Sequence, residues 1–459
     1  MRVAIVGGGI AGLAAARRLE TLVPDAGIVL LERTERLGGT ILTEVSDGFV
    51  IEGGPDSFLS RKERGVGLCD ELGLAAEVIG RRPENERSFV RRGGELHPLP
   101  AGLTGMIPTD LDALAESPLL SEAGRVRLAV EVDLPPAPPE RDESIASFVT
   151  RRLGREVYEA LVEPLMTGIY GGDGDLLSLE ATFPNLRALE LEHGSLLRGL
   201  RAQPASEGTR PPFVSLRAGM ALLVERLAQL LRRTEIRLAH SAWAIRARPG
   251  GFAIDVDGAE TLTADSVVLA LPAFTTAEVL ADLDPQLARE HTDIPYASSA
   301  VVTLAYRTDD VPHPLDGYGY VVPRSEGSDV LACTWTSSKW EGRAPQGHAL
   351  LRVYAGRFGG PDVTADEDET LVQLARGEVH VLGIEASPLL TRIHRWPRAM
   401  PQYVLGHPER LDRIDAALEQ HPGLALAGAA YRGVGIPDCI RSGEEAAEAV
   451  VRAPARAGP

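Results

Sequence analysis

A short apolar run at the start of the chain, Arg2-Val-Ala-Ile-Val6, breaks directly into Gly7-Gly8-Gly9-Ile10-Ala11-Gly12. The spacing Gly7-x-Gly9-x-x-Gly12 lies between a predicted strand and a predicted helix, the context in which this pattern carries structural meaning. Gly7 permits a tight turn, Gly9 lets backbone approach a pyrophosphate, and Gly12 lets the helix pack closely on the strand. The helix N-terminus offers unpaired N–H groups to phosphate oxygens. Glu32 follows at the end of a second predicted strand, Ile28 to Leu31, where its carboxylate can accept hydrogen bonds from ribose hydroxyls. A lone glycine turn can be purely structural. Strand, helix and spaced acid together predict a Rossmann-type βαβ unit that binds a dinucleotide.

The residues after Glu32 narrow the dinucleotide. Arg33 and Leu37-Gly38-Gly39-Thr40 follow, where an NAD domain would continue into another helix. A second glycine pair brings more backbone to the pyrophosphate, a pattern typical of flavoproteins that hold FAD extended. Here the chain resembles the amine oxidase and protoporphyrinogen oxidase superfamily, which implies FAD as cofactor.

Length and charge bound the remainder. A chain of 459 residues is too long for one core, so two or three domains are expected. Hydrophobic content of 44% and charged content of 24% are those of an ordinary globular protein. A net charge of −18 opposes nucleic-acid binding and anionic lipid surfaces, and obliges any anionic substrate to find a local cation. Cys69, Cys333 and Cys439 have neither disulfide nor zinc-ligand spacing, so no metal is expected and a reducing cytoplasm fits. The strand at residue 2 leaves no leader before it, and no run of about 18 apolar residues predicts a transmembrane helix. Peripheral lipid contact through the helical region stays open.

The fold class expected is α/β: a Rossmann-type FAD-binding domain carrying an inserted antiparallel-sheet substrate domain and an inserted helical domain. The boundaries predicted are 1–79, 205–290 and 397–459 for the FAD domain, 80–97 and 291–396 for the substrate domain, and 98–204 for the helical one. Residues 89–97 read as a hairpin turning at Gly93-Gly94. Leu134-Pro-Pro-Ala-Pro-Pro139 reads as a stiff linker, after which Ser144 caps a helix. Polar residues at 204–212 mark a domain crossing. Ala221 to Leu231 is a predicted helix, and another closes the chain after Ser442.

Several stretches spread along the chain resemble the porphyrinogen-oxidising branch of that superfamily. They are Gly54-Pro55-Asp56-Ser57-Phe58-Leu59, Thr167 to Asp173, Ala181 to Pro184, Cys333 to Thr336, Met400-Pro-Gln-Tyr403, and Gly433-Val-Gly-Ile-Pro-Asp-Cys-Ile440. Within the branch the details resemble the bacterial oxygen-dependent coproporphyrinogen III oxidases. Protoporphyrinogen oxidases of eukaryotic type carry a propionate-clamping arginine soon after a Leu-Pro segment. Here Leu99-Pro100 leads instead to Thr104 and Met106-Ile-Pro-Thr109, as in the coproporphyrinogen branch.

The resemblance implies cofactor contacts at Gly7, Gly8, Gly9, Ile10, Ala11, Gly12, Glu32, Arg33, Gly39, Gly54, Pro55, Asp56 and Ser57. It adds Ala242 on the adenine side, Trp396 flanking the flavin, and Val434, Gly435 and Ile436 at a helix end that would stabilise reduced flavin. For the substrate cavity it implies Lys62 as a propionate partner and Gly168, Ile169 and Tyr170 as a carbonyl-bearing segment; a solvated helix lysine and a plain helix C-terminus are the other readings of these, as a core tryptophan is of Trp396. Arg91, Arg92 and Arg343 are weaker propionate candidates. The activity implied is six-electron oxidation of a flexible tetrapyrrole, with dioxygen as acceptor and hydrogen peroxide as product, in heme biosynthesis. Handover of the porphyrin to a downstream enzyme follows from that role. Protoporphyrinogen IX oxidation, a flavin amine oxidase and a non-catalytic FAD or tetrapyrrole carrier are the alternatives.

Overall fold

The computed structural model describes residues 1–137, 142–203, 210–258 and 261–453. Short apolar strands form a parallel sheet in the order Thr234–Arg237, Gly27–Leu31, Arg2–Val6, Ser266–Leu269, Leu424–Leu426. Their near-continuous Ala, Ile, Val and Leu content suits strands covered on both faces; Ile5, Leu30 and Val268 lie against one layer, Ala4, Val267 and Leu269 against the other. One face carries helix Ile10–Leu22 and the closing helix Ile436–Arg452. The other carries a three-stranded meander of Ala242–Arg248, Gly251–Val256 and Leu262–Ala264.

The closing helix begins at Ile436, six residues before Ser442, where the sequence pattern places it. Pro437 stands in its first turn, where a missing N–H breaks no intrahelical bond. The pattern is legible only after Ser442 because the first turn is built of Gly, Pro and Asp rather than helix formers.

A second sheet has seven strands, ordered Leu390–Pro401, Tyr296–Arg307, His348–Ala355, Val330–Trp335, Gly319–Val321, Phe89–Arg92, Glu95–Pro98. Neighbours are antiparallel except Gly319–Val321 against Phe89–Arg92, which run parallel. The hairpin turns on Gly93 and Gly94, with φ of 60° and 81°. The boundary expected between 396 and 397 falls inside strand Leu390–Pro401, which continues to pair with Tyr296–Arg307 as far as Pro401.

This sheet is two-faced. Ala300, Val302, Leu304, Tyr306, Leu351 and Val353 pack on helix Asp368–Val379 in an apolar core. The opposite side carries Thr303, Thr334, Arg352, Tyr354 and His394, aligned by the register of the four strands.

Helices between Leu111 and Ala202 form a third core around Phe148, Leu153, Leu161 and Met166. Ser144 caps helix Ile145–Leu153 by accepting from the Ser147 N–H at 3.1 Å. Arg152 lies fully buried on Glu131, whose carboxylate also receives the Ser195 hydroxyl and the Leu196 N–H. Residues 138–139 of the proline linker and most of the polar crossing at 204–212 lie outside the described residues.

Candidate functional site

The glycine turn divides its three glycines between packing and access. A Cβ on Gly7, at φ 109°, would stand 2.3 Å from the Ala270 carbonyl oxygen, and one on Gly12 would stand 1.9 Å from that of Gly7. A Cβ on Gly9 would meet nothing within 4 Å. Gly7 and Gly12 are therefore required by the fold, and Gly9 presents bare backbone to open space at the N-cap of helix Ile10–Leu22. Ile10 and Ala11 are buried in its first turn. The Glu32 carboxylate closes the turn: Oε2 accepts from the Gly8 N–H at 2.7 Å, and Oε1 accepts from the Thr34 N–H and hydroxyl at 2.9 and 2.8 Å. A carboxylate has about four lone-pair sites, so Glu32 retains capacity for a ribose hydroxyl. Arg33 beside it is exposed.

The second glycine pair lies directly on the first. The Gly38 N–H donates to the Gly8 carbonyl at 2.9 Å, and a Cβ on Gly39 would stand 3.5 Å from the Gly9 Cα. The next step is just as close: a Cβ on Gly54 would lie 1.9 Å from the Thr40 carbonyl oxygen and 3.8 Å from Trp396 Cζ2. The Trp396 indole donates to the Gly53 carbonyl at 2.7 Å, and Arg352 Nη2 donates to the Gly54 carbonyl at 2.6 Å. Gly9, Gly39, Thr40, Gly54 and Trp396 thus form one continuous track from the dinucleotide turn to the polar face of the large sheet. Its bare backbone fits a dinucleotide laid along it. On the other flank, the Ala239 and His240 N–H groups donate to the Thr34 and Glu32 carbonyls, each at 2.9 Å. They tie buried Ala242, at a β-bulge, to the same loop.

The Asp56 carboxylate is engaged by three neighbouring side chains. Lys339 Nζ lies 3.0 Å and Trp340 Nε1 3.1 Å from Oδ2, and the Ser57 hydroxyl donates to Oδ1 at 2.7 Å. Burial pushes this carboxyl's pKa up, but Lys339 and Arg352 outweigh it and hold it well below the usual carboxylate range. Pro55 and Ser57 remain partly accessible on the same loop.

Lys62 is not a free cation. Its ammonium lies 2.5 Å from Asp438 Oδ2, in the first turn of the closing helix, where a negative side chain is favoured. Asp438 is absent from the sequence-predicted site although it stands inside the quoted Gly433–Ile440 stretch. It fills the space under the Val434-Gly435 turn, since a Cβ on Gly433, at φ 132°, would lie 2.5 Å from its Cγ. Its charge reaches Tyr170, whose phenol is pushed up by burial and then by Asp438.

Gly168, Ile169 and Tyr170 form the last turn of helix Glu163–Tyr170, ended by Gly171 in the left-handed region at φ 58°. The segment is a helix C-terminus, and its Tyr170 carbonyl accepts from Gln402 Nε2 at 2.9 Å. A Cβ on Gly168 would lie 3.9 Å from Val321 Cγ1, and Ile169 is 45% exposed. Lys62, Asp438 and Tyr170 are brought together.

The three arginines offered as further propionate partners are engaged elsewhere. Arg91 pairs with Glu378 at 3.2 Å, Arg92 donates to the Leu119 carbonyl at 3.0 Å, and fully buried Arg343 donates to Ser215 and Leu216. The Thr104–Thr109 segment is a small hairpin that buries Met106 and Ile107 in the helical core. Burial, and then Asp438, push the Cys439 thiol up to about 12. Among the described residues, no group of three or more His, Cys, Asp or Glu side chains is placed to hold a metal ion, and no helix is long and apolar enough to cross a membrane.

The family model for flavin-containing amine oxidoreductases matches residues 10–451. A coproporphyrinogen III oxidase of Bacillus subtilis is 35% identical, over 97% of this chain and 96% of its own. One of Staphylococcus aureus is 32% identical, over 98% of each chain. A crystal structure from an Exiguobacterium species, described as a protoporphyrinogen oxidase, superposes with a TM-score of 0.89 at 36% identity and 98% coverage of both chains.

Proposed function

Because the chain belongs to the flavin-containing amine oxidoreductase family, we propose that it is an FAD-dependent oxidase of coproporphyrinogen III that uses dioxygen and releases coproporphyrin III and hydrogen peroxide. The observation that carries this reading is the backbone track from Gly9 through Gly39, Thr40 and Gly54 to Trp396, which ends at the polar face of the seven-stranded sheet. Bound FAD supplies the acceptor for hydride equivalents from the methylene bridges.

The chain's own groups do the rest. Gly7 to Gly12, Gly39 and Glu32 hold the pyrophosphate and ribose, and Arg33 lies against the outer edge. Ala242 lines the adenine side. Gly54 to Ser57, Trp396 and Val434 to Ile436 border the flavin ring. The positive end of the closing helix favours the charge that the ring gains on reduction. Lys62, presented by Asp438, meets a propionate of the substrate, with Tyr170, Ile169 and Gly168 on the facing helix end. The discontinuous division into FAD, substrate and helical regions is part of this reading, as are a cytoplasmic location and handover of the porphyrin to a later enzyme of heme synthesis.

The name of the Exiguobacterium structure favours protoporphyrinogen IX as the second reading. Turnover of both porphyrinogens in oxygenated buffer, with porphyrin and peroxide measured together, separates the two. The proposal expects three peroxides per porphyrin and the larger kcat/KM for coproporphyrinogen III. A larger value for protoporphyrinogen IX would move the chain to the other branch.

A further inference from the structure

The polar face of the seven-stranded sheet holds charge that the reaction as described does not use. Arg352 is fully buried, and its Nε and Nη1 have no hydrogen-bond partner. Its remaining nitrogen donates to the Gly54 carbonyl, on the loop placed against the flavin. Nη1 lies 3.8 Å from Asp56 Oδ2, and Lys339 reaches the same oxygen at 3.0 Å. Glu52 and Arg343, both fully buried and 3.3 Å apart, stand next to them.

Three cations therefore face two carboxylates in a buried cluster directly behind Gly54. Asp56 is held ionised by its cations, whereas burial pushes Glu52 up despite Arg343. The excess is at least one positive charge. His394 on the same face has its pKa lowered by burial and then by Arg352, so it adds no further positive charge. Arg392 on the same strand is answered by Glu44 at 2.6 Å. Thr303, opposite Arg352, has a buried hydroxyl without a partner. Unanswered cationic charge in a water-poor site is costly unless something anionic comes to meet it.

We propose that the Asp56–Lys339–Arg352 cluster is an electrostatic positioning device that stabilises the negative charge the flavin acquires when it takes up a hydride, and so sets its reduction potential. A hydride delivers two electrons and one proton to the ring, leaving it with one negative charge; the cluster's excess cation opposes that charge through the Gly54 peptide. The inference rests on the placement of the flavin along Gly54 and is independent of which porphyrinogen is oxidised.

The test is the midpoint potential of the FAD holoenzyme, titrated anaerobically against a reference dye with no porphyrinogen present. Lys339→Met and Arg352→Gln should each favour oxidised over reduced flavin at least tenfold, a fall of about 30 mV for a two-electron couple. Asp56→Asn, which removes the anion, should shift the potential in the opposite direction, and Arg352→Lys should restore most of the wild-type value. Opposite signs for cation and anion removal are a readout that merely loosened packing cannot produce. Unchanged potentials in Lys339→Met and Asp56→Asn, or shifts of the same sign in all variants, would overturn the proposal. These shifts in the variants, together with wild-type protein that turns over no porphyrinogen, would sink the substrate assignment and leave the cluster's role standing.

Discussion

The Glu32 carboxylate accepts from Gly8 and Thr34 before any ribose is present, so removing it does two kinds of harm. Glu32→Ala deletes the ribose acceptor and leaves the Gly8 N–H buried without a partner. Each loss is worth about 1–3 kcal/mol. The FAD dissociation constant, measured by fluorescence on reconstituted apoprotein, should rise at least tenfold. A second expectation concerns Lys62, whose ammonium pairs with Asp438 and, on the proposed function, also meets a propionate. Lys62→Ala should raise the KM for coproporphyrinogen roughly tenfold with little change in kcat, since a charge-assisted hydrogen bond is worth about 1.5–3 kcal/mol. Asp438→Asn, which frees the ammonium, should lower it; steady-state kinetics of the pair reads both directions. At this scale the sequence was only partly legible. Glycines announce themselves by spacing, but the partner of a charge does not: 376 positions separate Lys62 from Asp438, and Lys339 is 283 from Asp56.

Two helices in contact fix the shape of the dinucleotide end. A Cβ on Gly443 would stand 2.0 Å from the Ala11 carbonyl oxygen, so the closing helix meets helix Ile10–Leu22 backbone to backbone. Gly443→Ala would gain about 0.5–1 kcal/mol of helix propensity, but the clash lies on rigid backbone and overpacking costs about 1–3 kcal/mol. The clash should win. A lower melting temperature and faster FAD loss in a thermal-shift experiment are expected. The helix, strand and hairpin patterns were readable wherever the apolar period was clean, as in Ile145–Leu153 with its Ser144 cap. At Gly168–Tyr170 the glycines leave a helix end and a carbonyl-bearing segment as open readings, and at Ile436–Ser442 Gly-Ile-Pro-Asp masks the period of a first turn that the family resemblance, not the apolar pattern, places at a helix end. The domain boundary expected between 396 and 397 cuts strand Leu390–Pro401, whose pairing with Tyr296–Arg307 continues to Pro401.

Across the whole molecule, buried imidazoles make stability depend on pH. His407 is fully buried, its Nε2 2.9 Å from the Tyr431 carbonyl and its ring stacked on Tyr403. Burial pushes its pKa down to about 4. In the unfolded chain the group titrates near 6.5, so between pH 6.5 and about 4 the unfolded state binds a proton that the folded state excludes. Its contribution is complete above pH 6.5 and is lost as pH falls through that window, a change on the order of 3 kcal/mol at most. His407→Gln should flatten the fall in urea midpoint between pH 7 and pH 5 relative to wild type. The long-range plan of the molecule was legible from motifs in order along the chain, because each marks a turn where backbone must approach backbone or a ligand. The two-faced sheet and its buried charges were not, since a strand such as His348–Ala355 shows its polar side only once its neighbours set the register. The central claim, that the Gly9-to-Trp396 track holds a flavin reduced by coproporphyrinogen III, is tested most directly by anaerobic stopped-flow mixing of the FAD-loaded protein with coproporphyrinogen III and, separately, protoporphyrinogen IX. Rapid bleaching of the flavin absorbance by coproporphyrinogen III, faster than by protoporphyrinogen IX and restored on admitting oxygen, is the predicted result; a flavin that stays oxidised with both would contradict it.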